Sequence, residues 1–134
     1  MRILFLVIAL LGSAVGSDPD NSAVIGTWEG ESQCTVPNSP CHDEHALYRF
    51  AADKDDPMML SLDAYKIVDG APQSMGTIPC HYHAEITTLI CSGHTAKQDE
   101  WVFRISGKIM TGKLTIGAEK TLYRVIKLRK TKNN

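Results

Sequence analysis

Apolar side chains recur at every second residue through most of this chain, and clusters of Gly, Pro, Asp and Asn break the pattern at short intervals. A period of two is what a strand with one buried face requires, because successive side chains leave a strand on opposite sides. In 24–31, Val24, Gly26, Trp28 and Gly30 share one face. In 58–68, Met58, Leu60, Leu62 and Ala64 do, and in 100–106, Trp101, Phe103 and Ile105. Residues 45–51, 77–83, 87–92, 109–116 and 121–129 complete a set of eight. Between them lie turn-forming segments at 34–43, 53–57, 69–72, 107–108 and 117–120, with Ala84-Glu85-Ile86 at the tip of a hairpin. Eight short strands with short connections predict an all-β fold. Closure into an eight-stranded antiparallel up-and-down β-barrel removes its edges. A barrel of that size either fills with side chains or holds one small ligand.

The N-terminus points to export. Arg2 precedes an apolar run at 3–11, then the small residues Gly12-Ser13-Ala14-Val15-Gly16, then polar Ser17-Asp18-Pro19-Asp20. That order predicts a signal peptide over 1–16, cleaved after Gly16 or, as the nearest alternative, after Ala14. The run is too short to cross a bilayer, which takes about 20 apolar residues. No cysteine follows it to carry a lipid, and no later stretch predicts a membrane span. The expected product is a single domain over 17–134, periplasmic or secreted. Loss of Arg2 takes the 14 basic residues to 13 against 15 acidic ones, a net charge of −2. So nearly neutral a chain has no footprint for nucleic acid. The basic run at 127–132 reads as a solvated strand end.

Four cysteines, Cys34, Cys41, Cys80 and Cys91, in an oxidising compartment predict two disulfides. Three pairings are possible. Cys34–Cys41 and Cys80–Cys91 are favoured, because each pair flanks a turn. Residues 80 and 91 fall opposite each other if the hairpin centres between Glu85 and Ile86. Closing loops of this size contributes about 2–3 kcal/mol each in the chain-entropy model.

In the last strand Leu122, Arg124, Ile126 and Leu128 share the apolar face, so Arg124 points inward. A buried guanidinium needs a partner. Trp28, on the first strand and so a neighbour in a closed barrel, is the expected one, because Arg stacks well on indole. Leu47, Leu60, Leu62, Trp101 and Phe103 are the expected lining of an interior pocket. Tyr65, opening the segment 65–70, is placed at the rim, where ligands reach a barrel.

Ile25-Gly26-Thr27-Trp28 with Arg124 resembles the Gly-x-Trp plus Arg pattern of the calycin superfamily, which includes lipocalins, fatty-acid-binding proteins and avidins. The resemblance implies a lipocalin-like barrel with Trp28 and Arg124 as a structural pair closing one end, and small-molecule binding as the common role. The chain from residue 17 also resembles a group of small exported bacterial proteins without established function. In that group the stretches 26–29, 40–44, 66–70 and 121–124 are expected to stand out. The chain is shorter than the larger lipocalins and lacks the signal for their C-terminal helix.

The candidate chemistry is thin. His42, His45, His81 and His83 sit near cysteines, and His81 and His83 share a strand face, yet the spacing fits no zinc finger and oxidised cysteines do not ligate zinc as thiolates. No metal or other cofactor is expected. Asn38 stands where covalent haem attachment requires a first cysteine. His42-Asp43-Glu44 lacks a partner nucleophile, no nucleophile elbow is present, and Asp43 and Glu44 diverge on any regular backbone. The expectation is a non-enzymatic carrier of a small apolar or amphipathic ligand. The alternative is a protein-interaction module. Exported bacterial metalloprotease inhibitors are similar small barrels with a protruding N-terminal segment, and 17–23 is polar enough to be one.

Overall fold

Eight strands close on themselves in the computed structural model of the chain, which describes residues 20–93 and 98–132. They are β1 (Gly26–Cys34), β2 (Glu44–Ala52), β3 (Leu60–Val68), β4 (Ala71–His83), β5 (Thr88–Ser92), β6 (Glu100–Ser106), β7 (Ile109–Ile116) and β8 (Thr121–Lys132). Each pairs antiparallel with the next in sequence, and β1 pairs with β8. The expected antiparallel up-and-down barrel is the observed fold. Both disulfides form the favoured pairs, Cys34–Cys41 on a loop and Cys80–Cys91 between adjacent strands. Paired cysteines suit an oxidising, non-cytoplasmic environment. Among the described residues no helix is long and apolar enough to cross a membrane. The segment 1–16 and His94 lie outside the described residues.

The alternation sets the inside. On β2, Ala46, Tyr48 and Phe50 are buried, while His45 and Arg49 are exposed. Phe103 stands edge-on to both Tyr48 and Phe50, with ring centroids 6.2 and 6.4 Å apart and interplanar angles of 82°. Gly112 makes room for it. The two residues are cross-strand partners, and a Cβ at Gly112 would collide with the Phe103 ring. Leu60, Leu89, Met110 and Leu128 fill the same half of the barrel. Beneath them a short 3₁₀ turn, Asn21–Ala23, leads into the fully buried Val24 and closes that end.

The expected stacking of Arg124 on Trp28 does not occur. β1 and β8 are neighbours, but in their register Trp28 faces Lys130, and Arg124 faces Cys34, six residues along. At about 3.3 Å per residue the two side chains sit about 20 Å apart, at opposite ends of the seam. Adjacency of strands says nothing about register, and register decides which side chains meet. Trp28 instead donates from its indole nitrogen to the Val24 carbonyl at 2.8 Å, and Lys130 Nζ lies 5.5 Å from its ring centroid. Burial, and then repulsion from Lys108, holds the Lys130 ammonium below the ordinary lysine range.

β4 begins at Ala71 rather than at residue 77. Asp69 and Gly70 both adopt left-handed conformations, φ 50° and 79°, so they make a tight two-residue hairpin turn and the strand starts at once. The β3–β4 hairpin thereby extends as an arm, with residues 71–77 exposed along its length. A bulge sets Ala64 against Gly76 and Tyr65 against Ser74, leaving Met75 as the extra residue.

Candidate ligand site at the open end

The end opposite the Asn21–Ala23 turn is where β2, β4, β6 and β8 begin. Here the side chains leave a cavity of about 150 Å³. Leu62, Ala64 and Ile78 form one wall, Trp101 and Leu114 the other, and Met75 reaches in from the bulge. Tyr48 lines the same space, with Glu44 and Arg124 at its edge. A dry engineered cavity of about 150 Å³ is known to accept benzene, so the space fits a group of that size and not a long lipid.

Arg124 crosses the mouth. Its Nη1 donates to the carbonyl and hydroxyl oxygens of Ser32, both at 3.3 Å, and its Nη2 to Glu44 Oε1 at 3.2 Å. The Arg124 and Glu44 side chains are only 12% and 17% exposed. The guanidinium carbon also lies 5.8 Å from the Tyr123 ring centroid. Ser32 is fully buried. Burial pushes the Tyr48 phenol up to about 12. The Glu44 charge acts in the same direction, against Arg124 and the Ser32 hydroxyl. Tyr48 therefore stays a neutral hydrogen-bond donor over the physiological range.

Outside this gate lies a polar groove of about 360 Å³, walled by residues 40–45, 66–68 and Tyr123, with Arg124 and Glu44 on its floor. The Cys34–Cys41 bridge closes its loop, and Asp43 Oδ1 accepts the Cys34 amide at 2.8 Å. Thr35 ties the loop to β8, its amide and hydroxyl donating to the Tyr123 and Leu122 carbonyls. Three of the four stretches singled out from the sequence, 40–44, 66–70 and 121–124, contribute to this one groove. The fourth, 26–29, begins β1 at the other end.

Of the five residues expected to line the pocket, Leu62 and Trp101 do so. Leu60 and Phe103 are inside but in the solid half of the barrel. Leu47 is not inside, and Tyr65, expected at the rim, lies towards the open end of β3 but on the outer face. Leu47 falls between the inward Ala46 and Tyr48 and so faces out. Tyr65 pairs with it there, under the Arg49 guanidinium at 5.1 Å. Ser32, Glu44, Tyr48, Met75 and Leu114 were not anticipated. Tyr48 was visible in the alternation with Phe50, whereas Glu44 needed the register.

The histidines are elsewhere. His45 lies on the outer wall between Glu29 and Glu31, at 2.7 and 3.0 Å. His81 and His83 lie side by side on the outside of β4, with ring centroids 4.2 Å apart and planes tilted by 45°. No group of three metal-ligating side chains occurs among the described residues. Hollows of about 500 and 460 Å³ on the outer wall are larger than the mouth cavity. They are troughs between side chains of neighbouring strands, and no buried polar group points into them. The mouth combines an apolar enclosure with buried donors, the usual composition of a small-molecule site. Compared with known proteins, the chain matches no family model and no curated sequence.

Proposed function

We propose that this is an exported small-ligand-binding protein, periplasmic or secreted, that takes a compact amphipathic molecule at the open end of a calycin-like barrel. One observation carries the reading: the 150 Å³ cavity has aliphatic and indole walls and a charged gate at its outer edge. Such a site buries an apolar group and meets a polar head with Arg124 and Tyr48. Native mass spectrometry of the protein recovered from its own compartment, before and after denaturation, tests this. A mass difference lost on denaturation supports the carrier. A clean apo mass, with no Trp101 fluorescence change on adding benzene-sized aromatics, overturns it.

The β3–β4 arm favours a second reading, an interaction module. Val68 and Met75 on it are 43% and 42% exposed. A protein partner, such as a protease, would meet this arm rather than 20–23, which pack at the closed end.

A further inference from the structure

We infer that the ligand is a small carboxylic acid, whose carboxylate takes the place of the Glu44 side chain on Arg124. The inference rests on the ligand-binding reading above and names the chemistry of its head group. Arg124 is the fixed partner of the gate: two hydrogen bonds from Nη1 hold it to Ser32, which is fully buried in β1. Glu44 is the movable one. It is the first residue of β2, and its carboxylate accepts one side-chain hydrogen bond among the described residues, from Nη2 at 3.2 Å. A guanidinium offers five donors and is best matched by a carboxylate bound through both oxygens. The single contact to Glu44 leaves that capacity unused.

Glu44 also has somewhere to go. It lines both the mouth cavity and the rim groove, so rotation of its side chain carries it from one to the other. The groove is polar, and His42 and Lys66 line it beside Glu44. The exchange replaces one carboxylate by another, so Arg124 never loses its counter-charge, the step that makes breaking a buried ion pair costly. Tyr48, which lines the same cavity as Glu44, supplies a further hydroxyl. A cationic head would find Glu44 but meet the immobile Arg124 next to it. The cavity walls then limit the rest of the acid to about the size of a phenyl group.

The test is calorimetric titration of the full chain with benzoate and with its neutral isostere benzamide. Wild type is expected to prefer benzoate. Glu44→Gln removes the internal competitor and should tighten benzoate about tenfold, the scale of one charge-assisted hydrogen bond, with benzamide unchanged. Arg124→Lys should weaken the preference, and Arg124→Gln, where circular dichroism shows it folded, should abolish it. Equal affinity for both probes in wild type and Glu44→Gln would overturn the acid while leaving a small-ligand site. Failure of both probes to bind either protein would overturn the acid and the ligand-binding reading together.

Discussion

Arg124 on β8 and Glu44 on β2 meet across the mouth of the barrel at 3.2 Å, with β1 lying between their strands and Ser32 of β1 holding the guanidinium from below. The contact bridges three consecutive strands at the seam where the sheet closes. It links β2 to the last strand of the fold at the edge of the cavity.

A double-mutant cycle measures that link. Glu44→Gln should destabilise by about 1 kcal/mol and Arg124→Met by somewhat more, because the latter also leaves the Ser32 hydroxyl without its partner. The coupling between them should be near 1 kcal/mol, at the top of what exposed pairs give and below a fully buried one. Urea unfolding of the four proteins reads it, and additive effects would show that the pair contributes nothing in solution.

His45 gives a pH dependence with a definite sign. Hydrogen bonds to Glu29 and then Glu31 raise its pKa above 6.5, against a small opposing effect of burial. Both ring nitrogens face carboxylates, so the doubly protonated form fits the site. Across the seam Glu29 and Glu31 are paired in register with Arg129 and Lys127, which dilute the negative field. A raised folded pKa contributes stability that is fully present below the unfolded value and is lost as pH rises through the folded one. The urea midpoint should therefore fall slightly from pH 6 towards pH 8. The fall should shrink in 1 M salt and vanish in His45→Gln. An NMR titration of the ring should place its midpoint above 6.5.

The barrel was legible in the sequence because period-two patterning and turn residues act locally: Trp101, Phe103 and Ile105 announce their face within seven residues. The Cys80–Cys91 pair was legible for the same reason, being set by one hairpin. The site was not, because it depends on register between strands far apart in sequence. Arg124 could be read as inward, but which of several inward groups it meets depends on how far β8 slides along β1. The length of β4 is hidden in the sequence because Pro72 reads as part of a turn. Asp69-Gly70 alone makes the turn, and Pro72 needs no donor on the side of β4 away from β3.

The two disulfides should respond differently to reductant. Cys80 and Cys91 are 1% and 0% exposed inside the barrel, whereas Cys34 and Cys41 sit half-exposed on the rim loop. Thiol attack needs access to a sulfur. Mild dithiothreitol on the folded protein should open Cys34–Cys41 first, leaving the fold intact, as seen by alkylation and mass mapping. Equal rates for the two would mean that the barrel opens before either bridge is reached.

Gly112 and Phe103 supply a test of the core that does not involve the mouth. A Cβ at Gly112 would overlap the Phe103 ring, which is itself held edge-on by Tyr48 and Phe50. Gly112→Ala relieves some backbone entropy in the unfolded chain, a gain of about 0.4–1 kcal/mol where the site has room. Here it has none, and overpacking costs of about 1–3 kcal/mol should prevail. The net effect expected is destabilisation. Phe103→Leu alone should also destabilise, through lost volume. Combined, the smaller side chain admits the new methyl, so the double variant should be more stable than the sum of the two costs predicts. Strict additivity in thermal unfolding would show that Phe103 does not lie over Gly112.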